Sequence, residues 1–135
     1  MKRIQWLILV SVLTFLCAGC RNGESIEEIQ LRAGSTAVEY YRLLIDGKYE
    51  DFVNGMFGGD SLPSVYKEQM VANAAMFVQQ QKDEHKGINN VTLSSCTADT
   101  ARHTADAFLY IHFADSLKEV VNVPLVEKGG VWYMK

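Results

Sequence analysis

The sequence predicts an α+β domain, with three N-terminal helices packed on one face of a curved antiparallel sheet of about four strands. Two observations carry that prediction. Apolar residues recur at helical spacing from Ile29 to Val78, and from Asn89 onward they recur at every second position. Helices followed by strands joined through short turns gather the helices on one side of the sheet. A third observation sets where the domain begins. The first twenty positions run charged, then apolar, then small, which is the layout of a leader.

In that leader Lys2 and Arg3 precede an apolar run from Ile4 to Leu16, which ends in Leu16-Cys17-Ala18-Gly19-Cys20. The run is too short to span a bilayer core, which takes about 20 residues. A cysteine directly after Ala18-Gly19 is the bacterial lipoprotein arrangement, in which the thiol is acylated and cleavage leaves it as the new N-terminus. Residues 1–19 are therefore expected to be a signal peptide, Cys20 the lipidation site, residues 20–24 a tether and residues 25–135 the folded domain. Each buried methylene of an acyl chain stabilises membrane attachment by about 0.8 kcal/mol, so several chains hold durably. The expected location is the bacterial cell envelope, with the membrane as partner through Cys20. The periplasmic face and the cell surface both stay open.

Ser25-Ile26-Glu27-Glu28 is a capping box, in which the Ser25 hydroxyl accepts from the Glu28 amide. Behind it Ile29, Ala33, Ala37, Tyr40 or Tyr41, and Leu44 predict an amphipathic helix to about Ile45, which Asp46-Gly47 stops. A short second helix is expected over Tyr49–Met56, with Phe52, Val53 and Met56 on one side and Gly58-Gly59 breaking it. Asp60 or Ser61 then caps a third helix, with Pro63 in its first turn. Val65, Tyr66, Met70, Ala74, Phe77 and Val78 form its stripe, Gln79–Glu84 a polar exit, and Gly87 the stop.

In the first strand Val91, Leu93 and Ser95 alternate with Thr92, Ser94 and Cys96. Ala105, Ala107, Leu109, Ile111 and Phe113 share one face of the second strand, and Asp106, Phe108, Tyr110 and His112 share the other. Past the turn pair Asp115-Ser116, a third strand over Lys118–Glu127 puts Val121, Val123 and Leu125 on one face, while Pro124 calls for an edge or a bulge. Lys128-Gly129-Gly130 is a tight hairpin turn, and Val131–Met134 is the last strand. Apolar bulk on both faces of the second strand favours a sheet that curves around the helices.

Composition removes some function classes. The chain has 135 residues and a formal charge of −3, and loss of Lys2 and Arg3 with the leader makes the body more acidic still. An acidic body with scattered basic residues is not a nucleic-acid binder. With Cys17 removed and Cys20 acylated, Cys96 is the lone remaining cysteine, so no intramolecular disulfide can form. Nothing near Cys96 suggests a base, and a packed thiol is the reading taken.

The run Ala37-Val38-Glu39-Tyr40-Tyr41-Arg42-Leu43-Leu44-Ile45-Asp46-Gly47-Lys48-Tyr49-Glu50-Asp51-Phe52 resembles the opening of the nuclear transport factor 2-like, cystatin-like cone fold, with its aromatic first helix and short second helix. The segment from Val123 to Lys135, with Trp132 after the glycine turn, resembles that superfamily's closing hairpin. The chain looks most like the superfamily's small bacterial lipoproteins whose domain has no assigned function. The resemblance implies a cone whose helices and concave sheet face enclose a pocket. It fixes no activity, because the superfamily spans isomerases, cyclases, dehydratases, adaptors and binding modules.

Within such a cone the expected lining residues are Tyr40, Tyr41, Phe52, Met56, Phe77, Phe108, Tyr110, His112 and Trp132. The leading expectation is a non-catalytic module that binds a small apolar ligand or an envelope protein through the concave face or an edge strand. The alternative is an isomerase- or cyclase-like enzyme in which Tyr110 and His112, with Asp106 at the rim, move a proton inside the cavity. An inhibitor-like interaction module stands behind both. A homodimer through the outer sheet face is also open. His85, His103 and His112 lie on different elements without ligand spacing, so no metal or other cofactor is expected. Lys82-Asp83-Glu84-His85-Lys86 reads as a solvated helix end.

Overall fold

The computed structural model of the chain describes residues 23–135. The leader and Cys20 lie outside the described residues. Helix α1 covers Ile26–Ile45 and begins as its capping box dictates, with Ser25 Oγ accepting from the Glu28 amide at 3.2 Å. Glu27 and Glu28 in the first turn and Arg42 in the last complement the helix dipole. Ala33, Gly34, Ala37, Val38 and Leu44 form the buried face. Gly34 marks a close approach to the sheet as well as being a weak helix former. A Cβ there would stand 2.8 Å from both Leu93 methyl carbons and 3.2 Å from Cys96 Cβ, so its absence sets how closely α1 lies on the sheet.

Helix α2 is shorter than expected, Tyr49–Asn54, because Gly55 caps it. A 3-10 turn, Gly59–Ser61, takes up the two residues expected to cap the next helix. Helix α3 therefore starts later, at Ser64–His85, with Pro63 as its N-cap and not inside its first turn. It runs through the expected polar exit and ends on Lys86 in the left-handed region (φ 65°), one residue before Gly87. Its last turn is fastened to the sheet. The His85 ring stacks on Phe113 with centroids 4.0 Å apart, and His85 Nδ1 lies 2.8 Å from Asp115 Oδ2. The Ala114 amide donates to Gly87 O and the Asp115 amide to His85 O. His85 is thus a docking residue, which corrects the reading of residues 82–86 as a solvated end at that one position, while Lys82, Asp83, Glu84 and Lys86 are exposed.

Strands β1 (Ile88–Asp99), β2 (Thr104–Phe113), β3 (Lys118–Lys128) and β4 (Val131–Met134) form one antiparallel sheet in sequence order. Leu93 pairs with Leu109 and Ser95 with Phe108, so Ser94 is an extra residue on β1. This bulge flips the alternation that the sequence pattern predicts. Cys96 joins Leu93 on the helix side, and the strand bends as bulged strands do. Pro124 fits its position although β3 is an inner strand. β4 pairs with β3 only over Leu125–Lys128, so beside Pro124 that flank has no strand.

The core lies between α1 and the inner face of the sheet. Val91, Leu109, Ile111 and Leu125 from the sheet are fully or almost fully buried against Ala33, Ala37 and Val53, and Phe52, Trp132 and Met134 complete it. The outer edge of β4 is closed by the Tyr40 side chain and by loop backbone. The Tyr40 hydroxyl donates to Trp132 O at 2.6 Å, the Met134 amide to Gly55 O at 2.9 Å, and the Phe57 amide to Met134 O at 2.7 Å.

Candidate functional site

The inner face of the sheet is filled. Ala105, Ala107, Leu109, Ile111 and Phe113 of β2 point toward the helices and are buried. Of the residues expected to line a cavity, Phe52 and Trp132 are core residues, and Tyr40, Tyr41, Met56 and Phe77 pack half-buried against that core. Tyr41 meets Phe52 edge to face at 5.7 Å. Burial pushes the Tyr41 phenol above its ordinary range, and burial, helped by Tyr133 and Glu39, does the same for Tyr40.

Phe108, Tyr110 and His112 are on the opposite face, alternating with the buried row, so the structure does not place them in a cone cavity. The cause is strand geometry: when the alanines and Leu109 face the helices, the even positions cannot. Tyr110 and His112 are 6.1 Å apart on this outer face, and their partners are not carboxylates. His112 Nε2 lies 2.8 Å from Thr92 Oγ1, and Lys118 Nζ stands 4.4 Å above the Tyr110 ring. Asp106 is on the same face, exposed, paired across the strands with Thr97 and Pro124. Of the three expected proton-transfer residues only Tyr110 and His112 are neighbours, Asp106 lies beyond Phe108 along the strand, and no enclosed site joins them.

What this face does present is a row of half-buried rings. In register across the strands, Thr92, Tyr110 and Val120 form one rank, and Ser95, Phe108 and Asn122 the next. Val120 is 52% exposed. The row itself was legible in the alternation. Its placement beside Thr92, Lys118 and Val120 depends on strand register, which sequence spacing does not supply.

Other features are dispersed. An open groove of about 470 Å³ runs between α2 and α3, bordered by Glu50, Lys67 and Val71, with Lys67 Nζ 3.6 Å from Glu50 Oε1. A smaller recess of about 150 Å³ lies at the start of α1 and includes Arg32, His103, Glu127 and Trp132. Burial raises the Cys96 thiol, Asp106 adds to the rise, and a hydrogen bond with the Gly34 backbone works against it, so the thiol is not activated. The His85 hydrogen bond holds the Asp115 carboxyl below the usual carboxylate range, with partial burial opposing and the Leu117 amide assisting. Among the described residues no three or more His, Cys, Asp or Glu gather to hold a metal, and no helix is long and apolar enough to cross a membrane.

No family model and no curated protein sequence matches the chain. Among solved structures it is similar to a Campylobacter jejuni protein described as a nuclear transport factor 2-like transpeptidase. The TM-score is 0.61 at 13% identity, over 74% of this chain and 94% of that one. At that identity the likeness speaks for the fold alone. The described domain has the nuclear transport factor 2-like cone fold, three helices followed by a four-stranded antiparallel sheet.

Proposed function

We propose that the chain is an exported lipoprotein, fixed to an envelope membrane through acylated Cys20, whose domain is a non-catalytic module that binds a protein partner through its outer sheet face. The observation that supports this reading is the row Phe108, Tyr110 and His112 with Val120 beside it. These are half-buried rings beside an exposed Val120, on a sheet whose other face is already packed by helices. Such side chains give a partner large, stiff contact area with polar tips. Lys118 over Tyr110 and Thr92 against His112 restrain the rings, which lowers the ordering cost of docking. The filled inner face leaves an apolar ligand no enclosed room there, which favours a partner over a small molecule.

Two experiments test the two halves. A photo-reactive phenylalanine analogue at position 120, in cells, is expected to give one discrete envelope adduct that the same analogue at position 83 on α3 does not give. An adduct of twice the chain's mass identifies a second copy as the partner. No adduct, or equal adducts from both positions, overturns the surface. Labelled palmitate is expected in the chain and absent after Cys20→Ser, and an unlabelled parent chain overturns the tether.

A further inference from the structure

The recess of about 150 Å³ at the start of α1 gathers charged side chains around one hydrogen-bond donor that the fold leaves unused. Ile29 and Arg32 come to it from α1, His103 from the β1–β2 turn, and Glu127 and Trp132 from β3 and β4, while Glu24 closes it from the segment before α1. Arg32 Nη2 donates to Glu127 Oε2 over a long 3.4 Å, and His103 Nδ1 is 3.8 Å from Glu127 Oε1, so neither closely engages a carboxylate that is 22% exposed. Trp132 is 3% exposed, and its indole N–H has no acceptor among the described residues. A buried donor without a partner costs about 1–3 kcal/mol, a cost that an incoming acceptor removes. His103 holds a positive φ of 54°, unusual for a residue with a side chain.

The composition of the recess selects its ligand. A simple anion meets Glu24 and Glu127. A simple amine satisfies Glu127 but leaves the indole donor unpaired. A molecule carrying both an ammonium and a carboxylate a few bonds apart answers both groups. The volume is that of about five water molecules, which limits the ligand to roughly the size of a small amino acid.

We propose that this recess binds a small zwitterion of the α-amino acid class, its ammonium on Glu127 and its carboxylate on Arg32 and the Trp132 indole N–H. Glu24 occupies the same guanidinium: its Oε1 lies 2.5 Å from Arg32 Nη1, and the pair is exposed, 44% for Arg32 and 43% for Glu24. Glu24 is therefore a built-in competitor, placed on the segment that leads to the proposed tether. Ligand binding releases it.

The test is a titration of the full-length, 15N-labelled chain in detergent micelles, read at the indole N–H resonance of Trp132 and assigned by Trp132→Phe. The probes are alanine, propylamine and propionate. Alanine is expected to shift that resonance with a saturable Kd of about 1 mM, typical of a ligand with so few atoms. Propylamine and propionate should each bind at least about ten-fold more weakly, since each loses one charge-assisted set of bonds. Glu127→Gln should weaken alanine by a similar factor. Glu24→Gln, at an exposed position that the fold does not need, should tighten it by several-fold. A flat alanine titration overturns the proposal, as does either single-charge probe matching alanine. Unchanged alanine affinity in Glu24→Gln also overturns it, and that variant decides the matter if Glu127→Gln does not fold.

Discussion

Tyr40 reaches from α1 to the β4 backbone only because residue 55 has no side chain. A Cβ on Gly55 would lie 2.5 Å from Tyr40 Cδ1 and closer still to Cε1, and the ring cannot yield without pulling its hydroxyl off Trp132 O, 2.6 Å away. Gly55 itself has ordinary helical backbone angles, φ −74° and ψ −8°, so alanine meets no backbone strain there. The only gain is a stiffer unfolded chain, about 0.4–1 kcal/mol. Against it stands overpacking at about 1–3 kcal/mol, which contains the lost hydrogen bond. Gly55→Ala is therefore expected to destabilise by about 1–2 kcal/mol, and Tyr40→Phe by about 0.5–1.5 kcal/mol. The two losses overlap. Once alanine has displaced the ring, removing the hydroxyl takes away nothing further, and the double variant should match Gly55→Ala alone, a coupling of about 1 kcal/mol. Urea unfolding of the parent and the three variants, followed by tryptophan fluorescence, measures this directly. Additivity within about 0.3–0.5 kcal/mol, or a Gly55→Ala protein as stable as its parent, would refute the shared-space argument.

Three further outcomes follow from the same reading. Gly34→Ala gains about 1 kcal/mol of helix propensity and loses about 0.5–1.5 kcal/mol moving the Leu93 methyls off their rotamer, so its unfolding midpoint should barely move, whereas Gly34→Leu should lower it clearly. Asp115 has a folded pKa below its ordinary value of 3.8, so its contribution to stability is present above that value and disappears as pH falls through the lowered one; NMR titration of His85→Gln should return the Asp115 pKa toward 3.8. Tyr40 and Tyr41 have folded pKa values above 10.0, so their contribution is complete below pH 10 and is lost as pH rises through the folded values; Tyr41→Phe should reduce the alkaline fall in melting temperature.

The change of apolar period near residue 88 made the layer order legible, because helices and strands that bury one face must write that face into the sequence. The capping box at Ser25 and the hairpin at Gly129-Gly130 were legible for the same local reason. What escaped needed information from across the chain. The Ser94 bulge leaves no mark on β1 itself, being a mismatch of count between β1 and β2, and it reassigned Cys96 from one face to the other. The orientation of β2 was ambiguous because both of its faces are apolar. Packing against the small α1 residues Ala33, Gly34 and Ala37 decided that the row from Ala105 to Phe113 goes inward, and this turned Phe108, Tyr110 and His112 outward. The Arg32, His103 and Glu127 recess was invisible for a third reason. Its members come from separate elements, each at a spacing that means nothing alone.

The two sheet edges bear on how a partner can approach. Strand addition needs a run of free backbone donors and acceptors. The β4 edge offers few, since Tyr40, Gly55 and Phe57 already bond to Trp132 and Met134. The β1 edge is interrupted by its bulge, and Gln30 Oε1 accepts from the Ala98 amide at 3.1 Å. Natural sheets blunt their edges by these means. A partner that docks on Tyr110 and Val120 ignores that bond, while one that adds a strand to β1 must break it. Gln30→Ala frees the Ala98 amide, so it should strengthen strand addition and leave face docking as it was. Crosslinking from position 120 that holds steady in Gln30→Ala and is lost in Tyr110→Ala is the outcome expected of the face. A rise in Gln30→Ala would move the contact to the edge.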